Sequence, residues 1–188
     1  MTSEIRYRTG TEKDLAEIGA LLCESGLPSS DVLPGKIDFI VATSTEGALV
    51  GCIGIEQYGA DGLLRSFAVE KKHRDKNIGT HLVDRLLSLG HQSGIQTMHL
   101  LTTTAEKYFT RKGFTVSDRE FAPAAIQATT EFSSLCPASS AYMVLNDINE
   151  QPHCYYSDEQ KLTRDKETGS TFWSIRGNNL QFTWFEVP

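Results

Sequence analysis

The sequence is poor in the residues that build metal centres and disulfide frameworks. It has four cysteines and five histidines among 188 residues, and no CxxC pair and no HxH or HExxH spacing occurs. Zinc sites and the frameworks of small secreted domains both depend on such short spacings. We therefore expect no metal site, and we expect the thiols to be reduced.

Long apolar runs and an excess of basic residues are also absent. No stretch approaches the roughly 20 apolar residues that span a bilayer. The amino terminus, MTSEIRYRTG, lacks a basic segment followed by an apolar one. The formal net charge of -6 disfavours a protein that coats nucleic acid or an anionic membrane. These absences predict a soluble, cytoplasmic protein whose partner is a small molecule.

Strand and helix patterns are present along most of the chain. Thr11 and Asp14 resemble a capping box before the first helix. Short turns within residues 37–69 predict an antiparallel meander, and the helix that follows predicts a parallel strand pair, so the class is α/β with a mixed sheet. The predicted elements are strands at 4–8, 37–43, 48–58, 62–69, 95–103, 114–116 and 141–145, helices at 15–22, 78–89 and 105–112, and helix or loop at 123–136.

The character of the sequence changes near Asn146. A polar stretch leads into TFWSIR, the turn Gly177-Asn178-Asn179 and LQFTWFEVP, which predicts a β-hairpin over residues 171–187. We divide the chain into a main domain, residues 1–146, and an extension, residues 147–188. Because about 40 residues seldom form their own core, the extension packs on the main domain, pairs with another chain or begins a truncated second domain.

A polar loop separates the strand ending at Val69 from the helix beginning at Ile78. The loop holds Arg74-Asp75-Lys76-Asn77, and Asn tolerates the left-handed backbone that a tight turn needs. Successive N–H groups at a helix start, together with the helix dipole, stabilise an anion such as a pyrophosphate. On composition alone, a solvated connection is the commoner explanation of such a loop.

The string LLRSFAVEKKHRDKNIGTHLVDRLL, followed by a strand and AEKYFTRKGF, resembles the GNAT acetyltransferase family over residues 4–146. In that family the loop reads Arg or Gln, two residues, Gly, one residue, Gly or Ala; Arg74 and Gly79 match its ends and Asn77 takes the first Gly position. The resemblance implies a mixed twisted sheet flanked by helices and a site for acetyl-CoA. The residues implied to hold the coenzyme are Phe67, Ala68, Val69, Arg74, Asp75, Lys76, Asn77, Ile78, Gly79 and Thr80.

A longer likeness follows in LLTTTAEKYFTRKGF and APAAIQATTEFSSLCPASSAYM, which resemble the arsenic-resistance-associated (ArsN-type) subgroup. It implies transfer of acetyl to the amine of an amino acid or of a glutamate-like phosphinate or arsinate toxin. It also places Cys136 and Ser139 in the acceptor pocket, with Glu131 and Arg119 as further candidates. Cys136 as a nucleophile is the less attractive reading, since buried inert thiols are commoner.

Polar residues in or after apolar strands supply further site candidates. Arg65 suits a substrate carboxylate or phosphinate through two parallel hydrogen bonds, or else an internal ion pair. Thr102 and Thr103 end a strand and either bind substrate or, with Thr104, cap the next helix. Glu56, near a strand end, is the predicted base that removes the ammonium proton, the alternative being a solvated carboxylate.

The general acid is the weakest part of the resemblance. Many family members use a Tyr, four residues before the Gly of the final Gly-Phe pair, to protonate the departing thiolate. Here Phe109 holds that position and Tyr108 is adjacent, about 100° away around a helix. Tyr108 is the predicted acid, and an unaided thiolate departure stays open because a thiol with a pKa near 8.5 is a tolerable leaving group.

Two other function classes stay open beside the enzyme acting on a small amine. A non-catalytic acyl-CoA sensor or interaction module fits the missing Tyr and the aromatic tail. A protein N-acetyltransferase needs an open groove, which the SLCPAS segment is expected to close. The hairpin at 171–187 resembles the opening strands of a cupin barrel, and a homodimer through the hairpin is its expected use.

Overall fold

The computed structural model describes residues 5–74 and 76–148, together with the backbone of two strands, residues 161–164 and 171–174. The chain divides into two compact units, Met1–Pro152 and His153–Pro188. Each unit is described by itself below.

A mixed sheet of seven strands forms the first unit, in the order β1-β2-β3-β4-β5-β7-β6. Only β4 and β5 pair in parallel; the other neighbours are antiparallel, which confirms the predicted meander and the predicted crossover. The strands are β1 Ile5–Thr9, β2 Asp38–Ser44, β3 Leu49–Tyr58, β4 Asp61–Val69, β5 Thr97–Thr102, β6 Thr115–Ser117 and β7 Ala141–Leu145.

Helices cover both faces of this sheet, as the sequence predicts. The apolar face of α1 packs on Phe39, Val41 and Cys52, whereas α2 packs on the opposite face against Ile40 and Ile53. Among the described residues no helix has the length and apolar character needed to cross a bilayer. The helices are α1 Leu15–Glu24, α2 Ile78–Gln92, α3 Glu106–Thr110 and α4 Ala124–Gln127, and a π-helical turn spans Glu131–Leu135.

A capping interaction fixes the start of the first helical segment. The Thr11 N–H donates to Asp14 Oδ2 at 2.7 Å, and Arg8 Nη1 donates to the same carboxylate oxygen at 2.8 Å. This confirms the capping role predicted for Thr11 and Asp14. It also ties β1 to the helix that follows it.

A β-bulge bends β4 in its second half. The β3–β4 register changes between Cys52 and Gly54, and Ser66 has a φ of +52°, which is unusual for a residue other than glycine. Strict alternation predicts Phe67 on the face of Leu63, but Phe67 packs on the large core with Leu64. That prediction was wrong because the extra residue at the bulge shifts the side chains that follow it to the other face.

In the second unit, two strands pair antiparallel: β8, Lys161–Arg164, and β9, Thr171–Ser174. The strand predicted at the start of the hairpin is confirmed as β9. Its partner is β8, a strand that the polar composition of residues 147–170 did not predict. The predicted turn at residues 177–179 and the strand after it lie outside the described residues.

We predict that Gly54→Ala destabilises the fold by about 1–3 kcal/mol through overpacking. A Cβ at Gly54 would lie 2.6 Å from Ile37 Cγ2 and 2.9 Å from Phe39 Cε1, in the closely packed layer under α1. Urea unfolding of the variant and the parent chain measures the difference.

Gly19→Ala is the matched control. A Cβ at Gly19, in the interior of α1, would meet no atom within 4 Å. The same substitution there should stabilise the chain by up to about 1 kcal/mol, because alanine favours helix. A Gly54→Ala variant as stable as the parent would contradict the close packing of β2 on β3.

Candidate active site

Two cavities of about 590 Å³ each open where β4 and β5 separate. The parallel ladder joins only Asp61–Leu64 to Thr97–Leu100, so the strands diverge beyond Leu64. We call the first the β4–β5 cavity; its walls include Arg65, Thr102, Glu131, Cys136 and Ser140. We call the second the α2 cavity; its walls include Val69, Arg74, Asn77, Gly79, Thr80 and Tyr108. Both are lined by Leu27, Phe67, Thr104 and Ala105, so they meet at those residues.

The α2 cavity lies at the amino-terminal end of α2. Asn77 precedes the helix with a φ of +58°, which confirms the left-handed turn that its position in the loop predicts. A Cβ at Gly79 would lie 3.1 Å from Phe67 Cζ, so glycine permits close approach of the helix to the β4 side chain. The first N–H groups of a helix have no partners within it, and here they adjoin the cavity.

The other predicted coenzyme residues are distributed unevenly around the α2 cavity. Phe67, Ala68, Val69, Ile78 and Thr80 line it. Arg74 also lines it.

The Arg74 Nε donates to the Val69 carbonyl oxygen at 3.1 Å, which holds the loop against β4. Lys76 is exposed and is not among the described residues that line the cavity. Asp75 lies outside the described residues.

Tyr108 and Phe109 separate into different environments. Phe109 is buried and lines the β4–β5 cavity, with its ring 5.4 Å from that of Phe114. Tyr108 lines the α2 cavity instead, and its hydroxyl is buried without a hydrogen bond of good geometry to any described residue. Burial raises the pKa of Tyr108, although the neighbouring Thr80 hydroxyl lowers it, so the phenol is protonated at neutral pH.

Arg65 lies in a buried cluster of carboxylates. Its Nη1 donates to Glu56 Oε1 at 2.5 Å, its Nη2 lies 2.6 Å from Asp31 Oδ2, and its Nε lies 2.9 Å from Glu131 Oε2. The Arg65 side chain is 1% exposed. Burial by itself lowers the pKa of Arg65, but the carboxylates of Glu131, Asp31 and Glu56 together raise it, so the guanidinium stays charged. The sequence left two roles open for Arg65, binding of a substrate anion and an internal ion pair; the ion pair is present in the structure.

Glu56, the predicted base, lies behind Arg65. Its Oε1 accepts from Arg65 and its Oε2 accepts a short hydrogen bond from the Tyr58 hydroxyl. The Glu56 side chain is 2% exposed, and Glu56 is not among the described residues that line either cavity. It is therefore neither the solvated carboxylate of the alternative reading nor a group on the cavity wall.

Glu131 is the carboxylate on the wall of the β4–β5 cavity. Burial raises the pKa of the Glu131 carboxyl, more than the nearby Arg65 lowers it. Cys136 Sγ donates to Glu131 Oε1 at 3.7 Å, and burial together with that carboxylate raises the pKa of Cys136 to about 11. Cys136 is thus a neutral thiol at physiological pH, which makes it a poor nucleophile.

The predicted hydroxyl groups fall into different positions. Thr102 Oγ1 accepts from the Ala105 N–H at 2.9 Å, so Thr102 rather than Thr104 caps the turn before α3. Thr103 is exposed at the mouth of the β4–β5 cavity. Ser139 was placed wrongly in the pocket: it is exposed, and Ser140 lines the cavity instead. The chain turns at Ser139, so the next residue, Ser140, is the one that lies against the cavity.

Arg119 holds the segment that closes the β4–β5 cavity. Its Nη1 donates to the Pro137 carbonyl oxygen at 2.9 Å and its Nη2 to the Phe132 carbonyl oxygen at 2.7 Å. The guanidinium also lies over the Phe132 ring, 4.5 Å from its centroid. Arg119 therefore positions the cavity wall and is not among the described residues that line it.

The side chains that line the two cavities, among them the Glu131 carboxylate and the Tyr108 phenol, can accept or donate protons. Within the described part of the chain no group of three or more His, Cys, Asp or Glu side chains is placed to hold a metal ion, and Arg65 occupies the centre of the acidic cluster. One cavity adjoins a helix start suited to an anion, and the other presents a buried carboxylate. Because the two cavities meet at the residues that line both, a long ligand can extend from one cavity into the other.

Comparison with known proteins identifies this arrangement. Residues 35–116 match the family described as "Acetyltransferase (GNAT) domain". N-acetylglutamate synthase from Neisseria gonorrhoeae, solved with coenzyme A and N-acetyl-glutamate, is similar at a TM-score of 0.65 and 21% identity; the match covers 78% of this chain and 36% of that one. The fold is the GNAT fold. Rv2747 from Mycobacterium tuberculosis, solved with CoA, shares this GNAT fold at a TM-score of 0.59 and 23% identity, covering 75% of this chain and 98% of that one.

A sequence relative extends the GNAT likeness. The amino-acid acetyltransferase of Pseudomonas putida (strain GB-1) is 27% identical over 136 residues, which cover 66% of this chain and 32% of that protein. The chain thus spans about a third of the length of this curated relative.

Three site residues carried little or no signal in the sequence. Asp31 lies in a polar loop, Ser140 follows a similar serine, and Tyr58 ends a strand; each resembles an ordinary surface residue when read in sequence. Glu131 was a candidate only because of its position near the SLCPAS segment. Their roles depend on contacts with Arg65, Glu56 and the cavity wall, which sequence spacing does not reveal.

We predict that Arg65→Met destabilises the fold by about 3–5 kcal/mol near neutral pH, because it leaves buried carboxylates without their counter-ion. Burial already raises the pKa of the Glu131 carboxyl, and loss of Arg65, which lowers it, would raise that pKa further. Raised pKa values mean that the folded state binds more protons, so part of the loss should be recovered as the pH falls from about 8 to about 5. Urea unfolding across that range measures it.

Arg119→Met is the matched control. It removes hydrogen bonds to main-chain carbonyl groups rather than an ion pair with carboxylates. Its smaller loss, about 1–3 kcal/mol, should not be recovered at low pH. An Arg65→Met variant whose loss is equally independent of pH would contradict the carboxylate cluster.

Proposed function

We propose that this chain is an acetyl-CoA-dependent N-acetyltransferase that moves acetyl to the amine of a small molecule by direct attack in a ternary complex. The observation that carries the proposal is the meeting of the two cavities at the split between β4 and β5. One cavity suits the phosphates and arm of the coenzyme, and the other holds a buried carboxylate near the same opening. The names of the relatives, which include an amino-acid acetyltransferase, support this reading.

The residues around the α2 cavity fit a pyrophosphate and its attached arm. The N–H groups of Ile78, Gly79 and Thr80 adjoin the cavity at the positive end of α2. A larger residue at Gly79 would require the Phe67 ring to shift, because a Cβ there would lie 3.1 Å from Phe67 Cζ. Among the described residues β4 has no β5 partner beyond Leu64, so this part of its edge can pair with an extended arm up to Val69, whose carbonyl oxygen accepts from Arg74 Nε.

Glu131 is the base that the geometry favours. An amine attacks a thioester only after the ammonium has lost a proton, and Glu131 is the carboxylate on the cavity wall. Its raised pKa brings it closer to neutral pH, where a base is most effective. Glu56, the residue predicted from the sequence, supports Glu131 indirectly, because both carboxylates contact Arg65.

Tyr108 remains the proposed acid for the departing thiolate. Its hydroxyl is buried, lines the α2 cavity and has a raised pKa, so it carries a proton to donate. The same hydroxyl lacks a well-aligned partner among the described residues, which suits a group that bonds to a ligand.

The finer parts of the proposal rest on resemblance. An amino acid is the acceptor class that the relatives' names favour, and a phosphinate or arsinate analogue of glutamate is the class that the ArsN-type likeness favours. Arsenic resistance, the cupin-like extension, the homodimer and the cytoplasmic location stay predictions.

The first experiment titrates acetyl-CoA into the full chain by calorimetry and follows thiol release with a panel of amines. Binding with release on at least one amine is the expected result. Binding without release on any amine or peptide would favour the acyl-CoA sensor. Release on peptides alone would favour the protein N-acetyltransferase, and no binding would refute the proposal.

We predict that Asn77→Val weakens acetyl-CoA binding about tenfold or more, because a β-branched residue with positive φ costs roughly 1–2 kcal/mol. Asn77→Gly, which adopts the same φ of +58° without strain, should bind within about twofold of the parent. Calorimetry on both variants checks it. If the two variants bound acetyl-CoA with equal affinity, coenzyme binding would not depend on the left-handed turn at Asn77.

We predict that Glu131→Gln lowers kcat by about 10²- to 10⁴-fold while the dissociation constant for acetyl-CoA stays unchanged. A base acts in its ionised form, so the parent rate should rise with pH through the raised pKa of Glu131, and this limb should vanish in the variant.

Glu56→Gln is the comparison for Glu131→Gln. It keeps the cavity wall and should lower kcat less. A Glu56→Gln variant without activity beside an active Glu131→Gln variant would restore the role of base to Glu56.

A further inference from the structure

The charge balance of the acidic cluster is the feature that the proposed reaction leaves unexplained. Asp31, Glu56 and Glu131 surround one guanidinium, so the cluster has two excess negative charges when all are ionised. Lys36 contributes only a longer contact, 3.8 Å from Glu56 Oε1, on a side chain that is 39% exposed. Buried charge of one sign is costly unless a counter-ion is present.

Arg65 is largely committed to carboxylates of the protein itself. Each of its three nitrogens already faces a carboxylate, at 2.5, 2.6 and 2.9 Å. An acceptor carboxylate that entered the β4–β5 cavity would compete with these three partners for Arg65. It would also meet the remaining negative charge of Glu131, which lines the wall.

A second observation, independent of the charges, concerns an unpartnered hydroxyl group in the wall of the same cavity. Ser140 is 5% exposed and lines the β4–β5 cavity, and its hydroxyl has no hydrogen-bond partner among the described residues. Buried hydroxyl groups in native proteins are nearly always paired. The Oε2 atom of Glu131 has an ion-pair contact with Arg65 but no well-aligned donor, so it too can accept from a ligand.

We propose that the β4–β5 cavity selects a cationic amine without a carboxylate, such as an alkylamine or a diamine, and binds its ammonium group through Glu131 and Ser140. Arg65 is then an internal counter-ion that positions Glu131 and does not touch the acceptor. This inference rests on the proposed acetyl transfer and narrows its acceptor class. It departs from the acidic acceptors that an anion-binding Arg65 predicts.

Matched acceptor pairs test the inference with the full chain and acetyl-CoA. Each pair joins an amino acid to its decarboxylated amine: leucine with isopentylamine, lysine with cadaverine, and ornithine with putrescine. The decarboxylated amines are no less basic, so a preference for them does not reflect a larger free-base fraction. We expect kcat/KM to favour the amine roughly 100-fold, the scale of a like-charge contact in a buried site.

Two variants report on the residues. Ser140→Ala should raise KM for the amine about tenfold with kcat and coenzyme affinity unchanged, because it removes one hydrogen bond to a charged group. The control is Ser133→Ala, an exposed serine of the same segment that is not among the described lining residues. Asp31→Asn should reduce the preference for the amine, because it weakens one of the three contacts that occupy Arg65.

The outcomes separate this inference from the proposed function. Thiol release that is equal or faster with the amino acids would overturn the cationic acceptor and leave the acetyltransferase intact. If no acceptor releases thiol, calorimetry with cadaverine decides. If cadaverine binds and Ser140→Ala weakens that binding, the cation site is supported although the proposed reaction fails. If cadaverine does not bind, the cation site and the proposed acetyl transfer are both overturned.

Discussion

The separation of β4 from β5 is the constraint on which the site depends. Parallel pairing holds the strands together only as far as Leu64 and Leu100. Beyond that point the bulge at Ser66 bends β4, and its positive φ lets the chain turn without losing the pairing to β3. A regular sheet would have filled this space with paired backbone. The bend leaves a strand edge that β5 does not pair beyond Leu64, and two cavities that meet beside Phe67.

A buried ion cluster closes one side of this split. Arg65 projects from the bent strand and gathers carboxylates from the loop before β2, from β3 and from the π-helical turn. These contacts tie the loop before β2 and the π-helical turn to β3 and β4, two strands that the sheet already pairs. Each Arg65 nitrogen therefore already contacts a carboxylate of the protein, with which an anionic ligand would have to compete. A group that looks like a receptor for carboxylates is thus part of the protein's own framework.

The sequence predicted the local features of the fold and of the α2 loop well. The capping interaction of Asp14, the left-handed turn at Asn77 and the meander of β2, β3 and β4 all depend on residues close together in the chain. Predictions failed where a local irregularity intervened. The bulge at Ser66 moved Phe67 to the other face, and the turn near Ser139 put its neighbour on the cavity wall.

The sequence by itself determined the class of fold, the position of the helix start at Ile78 and the loop before it, because backbone preferences and apolar periodicity act over a few residues. Only the tertiary structure decided which groups face the cavity. The partners of Arg65 lie 34, 9 and 66 positions away in the chain, at Asp31, Glu56 and Glu131. Electrostatic contacts of this kind depend on distance in space, and no spacing in the sequence encodes them. Whether Arg65 serves as a receptor for anions or as a buried counter-ion therefore depends on how these elements pack around β4.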